Sequence, residues 1–194
     1  MLVVRHRVNT RAELGGVPIE QGVEIDLRCD DGVLRVRHDA VGGGEPLDHW
    51  LVGYRHALLV VNVKEEGLES LVLAALALAG VTAFFFLDQS VPFLVRTVRG
   101  GEGRCAVRVS ELEGVTLAER LAGQARWIWL DCFLGGPPVG DDVVRRLRAS
   151  GYGICLVSPE LHDPARASEI PAMRAFAERT GIDAVCTKRG EGWG

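Results

Sequence analysis

The chain has 194 residues, a formal net charge of −4, 47% hydrophobic residues and 25% charged ones. That composition excludes a disordered chain, which carries fewer apolar residues and more net charge. The mild acidity argues against non-specific binding to nucleic acid or to a membrane surface. One domain over residues 1–194 can bury roughly two-thirds or more of its unfolded surface, so it needs neither a disulfide nor a structural metal to hold it.

Short apolar runs rich in Val, Ile, Phe and Trp predict strands near residues 2–8, 22–29, 33–38, 58–64, 81–88, 104–111, 125–133, 152–160 and 183–188. Met1-Leu2-Val3-Val4-Arg5-His6 lacks the basic start and the long apolar core of a signal peptide. Asp31-Gly32 is a tight hairpin signal between the second and third strands, and Val41 to Pro46 is loop. The loop's three glycines read as a mobile lid or as a linker. Glu65 to Ala79 predicts the longest helix, with Leu68, Leu71, Val72, Ala75 and Leu78 on one stripe. The greasiest stretch, Leu71 to Leu87, is broken by Gly80 and Thr82 and falls short of the ~18 to 20 apolar residues of a membrane helix.

Further helix starts are predicted at Ser90 with Pro92, at a Thr116–Glu119 capping box closed by Gly123, at Asp141 and at Ser168. The last two of these helices stop at Gly151 and Gly181. Cys29, Cys105, Cys132, Cys155 and Cys186 are odd in number and form no C-x-x-C pair. They read as buried reduced thiols, which points to a cytoplasmic location.

From Lys64 onward the last polar residue of each strand recurs at Asp88, Glu111, Asp131, Glu160 and Lys188. That is the beat of repeated strand–helix units with right-handed crossovers. It predicts an α/β fold, a small (β/α)8 TIM barrel with a β-hairpin after strand 2 and a truncated C-terminal helix. Such a barrel gathers strand-end polar residues at one rim. An open doubly wound sheet is the competitor, but Gly15-Gly16 is not its phosphate loop.

Three clusters carry chemistry: His6-Arg7, Glu24-Ile25-Asp26 and His38-Asp39. Residues i and i+2 of a strand share a face, so Glu24 and Asp26 point together, as do Asn62 and Lys64. Two carboxylates aimed into a barrel mouth repel unless a cation lies between them, and a hard divalent ion suits oxygen ligands. A histidine on each side can act as general acid and base. Arg7 and Lys64 supply positive charge for an anionic substrate.

In this order and spacing the sequence resembles the glycerophosphodiester phosphodiesterase-like members of the phospholipase-C-like phosphodiesterase barrels. The matches are His6-Arg7, Glu24-Ile25-Asp26, the Asp31-Gly32 hairpin, His38-Asp39 and, in part, Asn62-Val63-Lys64. The resemblance implies a metal-assisted phosphodiesterase with His6 and His38 as the catalytic pair, Glu24, Asp26 and Asn62 on Mg2+ or Ca2+, and Arg7 and Lys64 on the phosphate. Glu111, Asp131, Glu160 and Lys188 are the further substrate-binding expectations.

The chain departs from the family at Val8, where the family has glycine, and at Asn62, where it has a third carboxylate. Asp88 or Glu111 could compensate for the lost charge. The family's inserted subdomain after the His-Asp cluster is missing, and Thr187-Lys188 stands where the family has Thr-Asp. The expected partner is a small or glycan-linked phosphodiester, without nucleic acid or membrane. Substrate specificity then comes from strand-end residues, the 41–56 loop or a homo-oligomer partner. Two alternatives remain: a catalytically lapsed barrel that binds a phosphorylated ligand, and a lyase or isomerase on a phosphorylated sugar.

Overall fold

The computed structural model describes residues 1–193. Its strands are β1 (Leu2–Arg5), β2 (Gly22–Asp30), β3 (Val33–Val36), β4 (Glu45–Pro46), β5 (Leu59–Val63), β6 (Phe84–Leu87), β7 (Ala106–Val109), β8 (Trp127–Leu130), β9 (Gly153–Val157) and β10 (Ala184–Thr187). Helices α1 (Arg11–Leu14), α2 (Leu47–Trp50), α3 (Glu69–Leu78), α4 (Val91–Arg99), α5 (Thr116–Arg120), α6 (Asp141–Ala149) and α7 (Ile170–Thr180) lie between them. No helix among the described residues is long and apolar enough to cross a membrane.

The strands close into a ring. β1 pairs in parallel with β2 and β10, and the parallel pairing continues through β5 and β6 on one side and through β9, β8 and β7 on the other. The seam is a parallel bridge from Phe86 to Cys105, where the Phe86 N–H donates to the Arg104 carbonyl at 2.8 Å. Outside the ring, β3 and β4 extend β2 as antiparallel strands. The Asp31–Gly32 turn has φ of 49° and 82°, the left-handed pair that a two-residue hairpin requires.

Alternation along each strand divides the core in two. Val4, Val60, Phe85, Trp129, Cys155 and Cys186 point into the ring and pack together. Ile25, Val61, Phe86, Ile128, Ile154 and Val185 point outward and pack under the helices. Both faces are buried, so the strands read as nearly continuous apolar runs. The interior is tight. Trp127 stacks on Phe85 at 4.7 Å between centroids, and a Cβ on Gly153 would stand 3.2 Å from the Trp127 ring. Gly153→Ala is therefore expected to cost about 1–3 kcal/mol in a denaturant melt, an overpacking penalty. An unchanged midpoint would show that the ring can yield.

The outer layer differs from expectation in detail. The longest helix is α7, not the 65–79 segment: Gly67 takes φ of 86° and holds the chain in a turn until Leu68, so α3 starts only at Glu69. The capping box is at Thr10–Glu13, whose two reciprocal contacts open α1, while Thr116 makes no capping bond. Gly140 rather than Asp141 precedes α6, and a 3-10 turn capped by Asp163 leads into α7 in place of a Ser168 cap. Gly181 ends α7 at φ 71°, as predicted. Burial raises the thiols of Cys105 and Cys132 to about 12, so neither is a thiolate nucleophile.

Candidate active site

The C-terminal ends of the ring strands open onto a cavity of about 170 Å³. Its first flank is built by the turn after β1. The His6 N–H donates to the Thr187 carbonyl at 3.1 Å, extending the β1–β10 ladder by one residue. Arg7 then enters the left-handed region at φ 54°. Such a conformation costs an L-residue roughly 1–2 kcal/mol and persists only where its surroundings enforce it. Here it turns the Arg7 N–H onto Glu24 Oε2 at 2.7 Å. Because the left-handed residue is Arg7, Val8 fits without strain where the resembled family has glycine; it is buried, and its N–H donates to the Glu24 carbonyl at 2.8 Å.

Glu24 and Asp26 sit two apart on β2 and face the ring interior together. Asn62 stands beside Asp26 in the β2–β5 register. Its Nδ2 donates to Glu24 Oε1 at 3.0 Å. Asp26 accepts from Asn9 Nδ2 at 2.9 Å, and Lys64 Nζ lies 3.0 Å from Asp26 Oδ1. His6 Nε2 is 3.9 Å from Glu24 Oε2. The geometry thus brings His6, Arg7, Glu24, Asp26, Asn62 and Lys64 into one cluster.

His38 stands at the edge of this cluster rather than in the cavity wall, with its side chain 42% exposed. Its Nε2 is 2.7 Å from an Arg7 Nη atom and its Nδ1 is 3.1 Å from Asp39 Oδ1. A guanidinium can only donate, so Nε2 is the lone-pair nitrogen and Nδ1 carries the proton toward Asp39.

Burial and the neighbouring Asp26 charge push Glu24 up to about 7. Burial, then the charges of Arg7 and Lys188, pull His6 down to about 3. At neutral pH His6 is a neutral base, and Glu24 still holds part of a proton that a cation would displace.

The second flank comes from β6 to β9. Asp88 also takes a left-handed conformation, φ 63°. Arg108 bridges Asp88 and Asp131, and the buried Asp131 also accepts from His162 Nε2. Asp88, expected as a possible stand-in for the charge lost at Asn62, lines the cavity, and so do Arg108 and His162, which were absent from the expected site residues. Each of the latter two is one polar letter at a strand end, with no spacing to mark it. Asp131, which was expected, lines the cavity too. Trp129 lines the cavity, whereas Trp50 is fully buried in the core.

Three other expected residues have other partners. Glu111 accepts the backbone N–H groups of Phe133 and Leu134 at 3.0 and 3.1 Å. Glu160 is buried and accepts from the hydroxyls of Ser158 and Thr187 and from the Lys188 N–H. Lys188 is exposed and reaches the site through its charge on His6. Glu160→Ala is accordingly expected to lower the unfolding free energy by about 2–4 kcal/mol through stranded buried donors. A variant that loses activity at unchanged stability would show a direct substrate role instead.

No protein-family model and no curated protein matches the sequence. Among solved structures, a glycerophosphodiester phosphodiesterase from Agrobacterium tumefaciens superposes with a TM-score of 0.65 at 17% identity, over 100% of this chain and 97% of that one. A glycerophosphoryl diester phosphodiesterase from Parabacteroides distasonis superposes with a TM-score of 0.68 at 14% identity, over 99% of this chain and 84% of that one. The fold is that of these TIM-barrel proteins.

Proposed function

We propose that the chain is a phosphoric diester hydrolase acting on a small or glycan-linked phosphodiester, metal-assisted, with His6 and His38 as its acid–base pair. The observation that carries this reading is the first flank itself: a neutral, partly buried histidine, two buried acids and the cations Arg7 and Lys64 around one small cavity. A phosphodiester monoanion matches that charge, and about 170 Å³ admits a phosphate with a short organic arm.

The donor set suits a hard divalent ion. Asn62 Oδ1 and Asp26 Oδ1 are buried acceptors without a hydrogen bond, although Lys64 is in ion-pair contact with the latter. Glu24, Asp26 and Asn62 would hold Mg2+ or Ca2+, which supplies charge stabilisation for phosphoryl oxygens when bound.

The chain's own groups do the rest. Arg7 and Lys64 bind and orient the phosphate oxygens. An anion placed there offsets the cationic charge that, with burial, holds His6 unprotonated. Substrate binding therefore raises the proton affinity of His6 when a base is needed. The same phosphate draws Arg7 from His38 and frees Nε2 for proton transfer.

Turnover of bis(p-nitrophenyl) phosphate with Mg2+ or Ca2+, abolished in His6→Ala, is the expected result. A protein that binds inorganic phosphate but turns over no diester would favour the lapsed binding barrel, which Asn62 in place of a carboxylate supports. The lyase or isomerase reading has less to stand on, because Glu111 and Glu160 are tied to backbone and hydroxyl groups.

A further inference from the structure

Beside the catalytic cavity lies a larger one that the proposed chemistry leaves unused. Among the described residues, β6 and β7 meet only at the Phe86–Cys105 bridge, whereas β5–β6 and β7–β8 each pair over four residues. A cavity of about 430 Å³ stands at this seam. Leu94 of α4, Ala106 of β7 and Leu117 of α5 line it, and Leu87, Asp88 and Arg108 line both cavities. Sites for small organic ligands measure about 300–1,000 Å³. The catalytic cavity, at about 170 Å³, falls below that range and the seam cavity falls within it.

The polar lining of the seam cavity is mixed. Arg108 donates to Asp88 and Asp131, and its Nε lies 3.6 Å from Glu113 Oε2. One cation among three carboxylates leaves no net positive charge for a second anion. Gln89 lines the cavity as well. Its Nε2 donates to Glu69 and Thr97, while its Oε1 is a buried acceptor without a hydrogen bond. A donor on a ligand would satisfy that oxygen. A hydroxyl both donates and accepts, so several hydroxyls match carboxylates, an amide oxygen and guanidinium N–H groups together, whereas an ammonium only donates. Buried Leu87, Leu94 and Ala106 supply an apolar surface for the C–H face of a ring.

We infer that the seam cavity binds the organic arm of the diester, and that this arm is an uncharged sugar ring. The inference rests on the phosphodiesterase reading and names its substrate class. The phosphate stays with Arg7 and Lys64 in the small cavity, and the arm passes the Asp88–Arg108 pair that borders both spaces.

Three diesters that share p-nitrophenolate as leaving group test it: the p-nitrophenyl esters of methyl phosphate, of glucose 6-phosphate and of phosphocholine. With Mg2+ or Ca2+ present, wild-type kcat/KM for the glucose diester should exceed that for the methyl diester by about 10-fold or more, because a site that bonds hydroxyls rejects an analogue without them. The choline diester should gain no such advantage. Gly114 lines the seam cavity and not the catalytic one, and a Cβ there meets no atom within 4 Å. Gly114→Trp should therefore fill the space and lower kcat/KM for the glucose diester to about that of the methyl diester. Glu113 is half-exposed, so Glu113→Ala keeps the fold, and it should lower the glucose preference by about 3- to 10-fold through one lost acceptor. Equal rates on the methyl and glucose diesters, a choline diester preferred to the glucose one, or a preference that survives in either folded variant overturns the assignment and leaves the phosphodiesterase reading standing. A wild-type protein that cleaves none of the three fails that reading and takes this inference with it.

Discussion

His6→Ala is expected to lower kcat on a phosphodiester by about 10²- to 10⁴-fold, the range for losing a positioned acid–base group. KM should change little, because Arg7 and Lys64 rather than His6 hold the phosphate. The fold should survive. His6 Nδ1 is a buried nitrogen without a hydrogen-bond partner, so its removal strands nothing. His38→Ala should fall at the low end of the range, about 10²-fold, because its ring is exposed and solvent can take part of its place. Activity retained within a few-fold in His6→Ala would remove the central base from the mechanism.

Glu24→Gln is expected to make the metal-free protein more stable at pH 8 and to abolish divalent-ion binding. The sign follows from the raised proton affinity of Glu24. A group held near 7 in the folded state against 4.5 unfolded contributes its full stability below 4.5 and loses it as pH rises through 7. At pH 8 the ionised Glu24 thus costs the folded state about 3 kcal/mol. Glutamine removes that cost but accepts with one oxygen where Glu24 uses two, giving back about 1 kcal/mol. The net gain of about 2 kcal/mol should appear in chelator-treated melts and shrink toward pH 5. His6 acts in the opposite sense: held near 3 against 6.5, it contributes stability above 6.5 that is lost as pH falls through 3. Between 4.5 and 6.5 the two slopes oppose, so the metal-free wild type should show a nearly flat stability there. Saturating Ca2+ or Mg2+ should reverse the order at pH 8, since only the wild type gains binding energy. The acid limb of wild-type kcat/KM should also move to lower pH as the ion concentration rises, because ion and proton compete for Glu24. A Glu24→Gln protein less stable than the wild type at pH 8 in chelator would contradict the burial argument.

The strand order and the first flank were legible because they repeat or recur in a fixed order. Apolar runs on a regular beat gave the ring, and Glu24-x-Asp26 and Asn62-x-Lys64 fell on inward positions by strand alternation alone, whereas Arg7 enters the site through its left-handed turn. The second flank was legible only in its acids, Asp88 and Asp131, which fall on the strand-end beat. Arg108 and His162 acquire meaning only when β7, β8 and β9 stand side by side and their ends converge on Asp131. Glu111 and Glu160 illustrate the reverse: a strand-end acid is also what a loop needs to hold backbone N–H groups, and sequence does not separate the two uses. Helix starts misled for a similar reason. Thr116 and Glu119 have the capping spacing, but the turn that uses that spacing is at Thr10 and Glu13.

The most direct test follows the phosphorus itself. Wild-type protein incubated with glycerophosphoethanolamine and Ca2+ or Mg2+ is observed by phosphorus NMR, beside a chelator-treated control. The structure predicts loss of the diester resonance, with a monoester or a cyclic phosphate in its place, and no loss in the control. A diester that persists unchanged while inorganic phosphate shifts the resonances of His6 would contradict it and make the cavity a binding site.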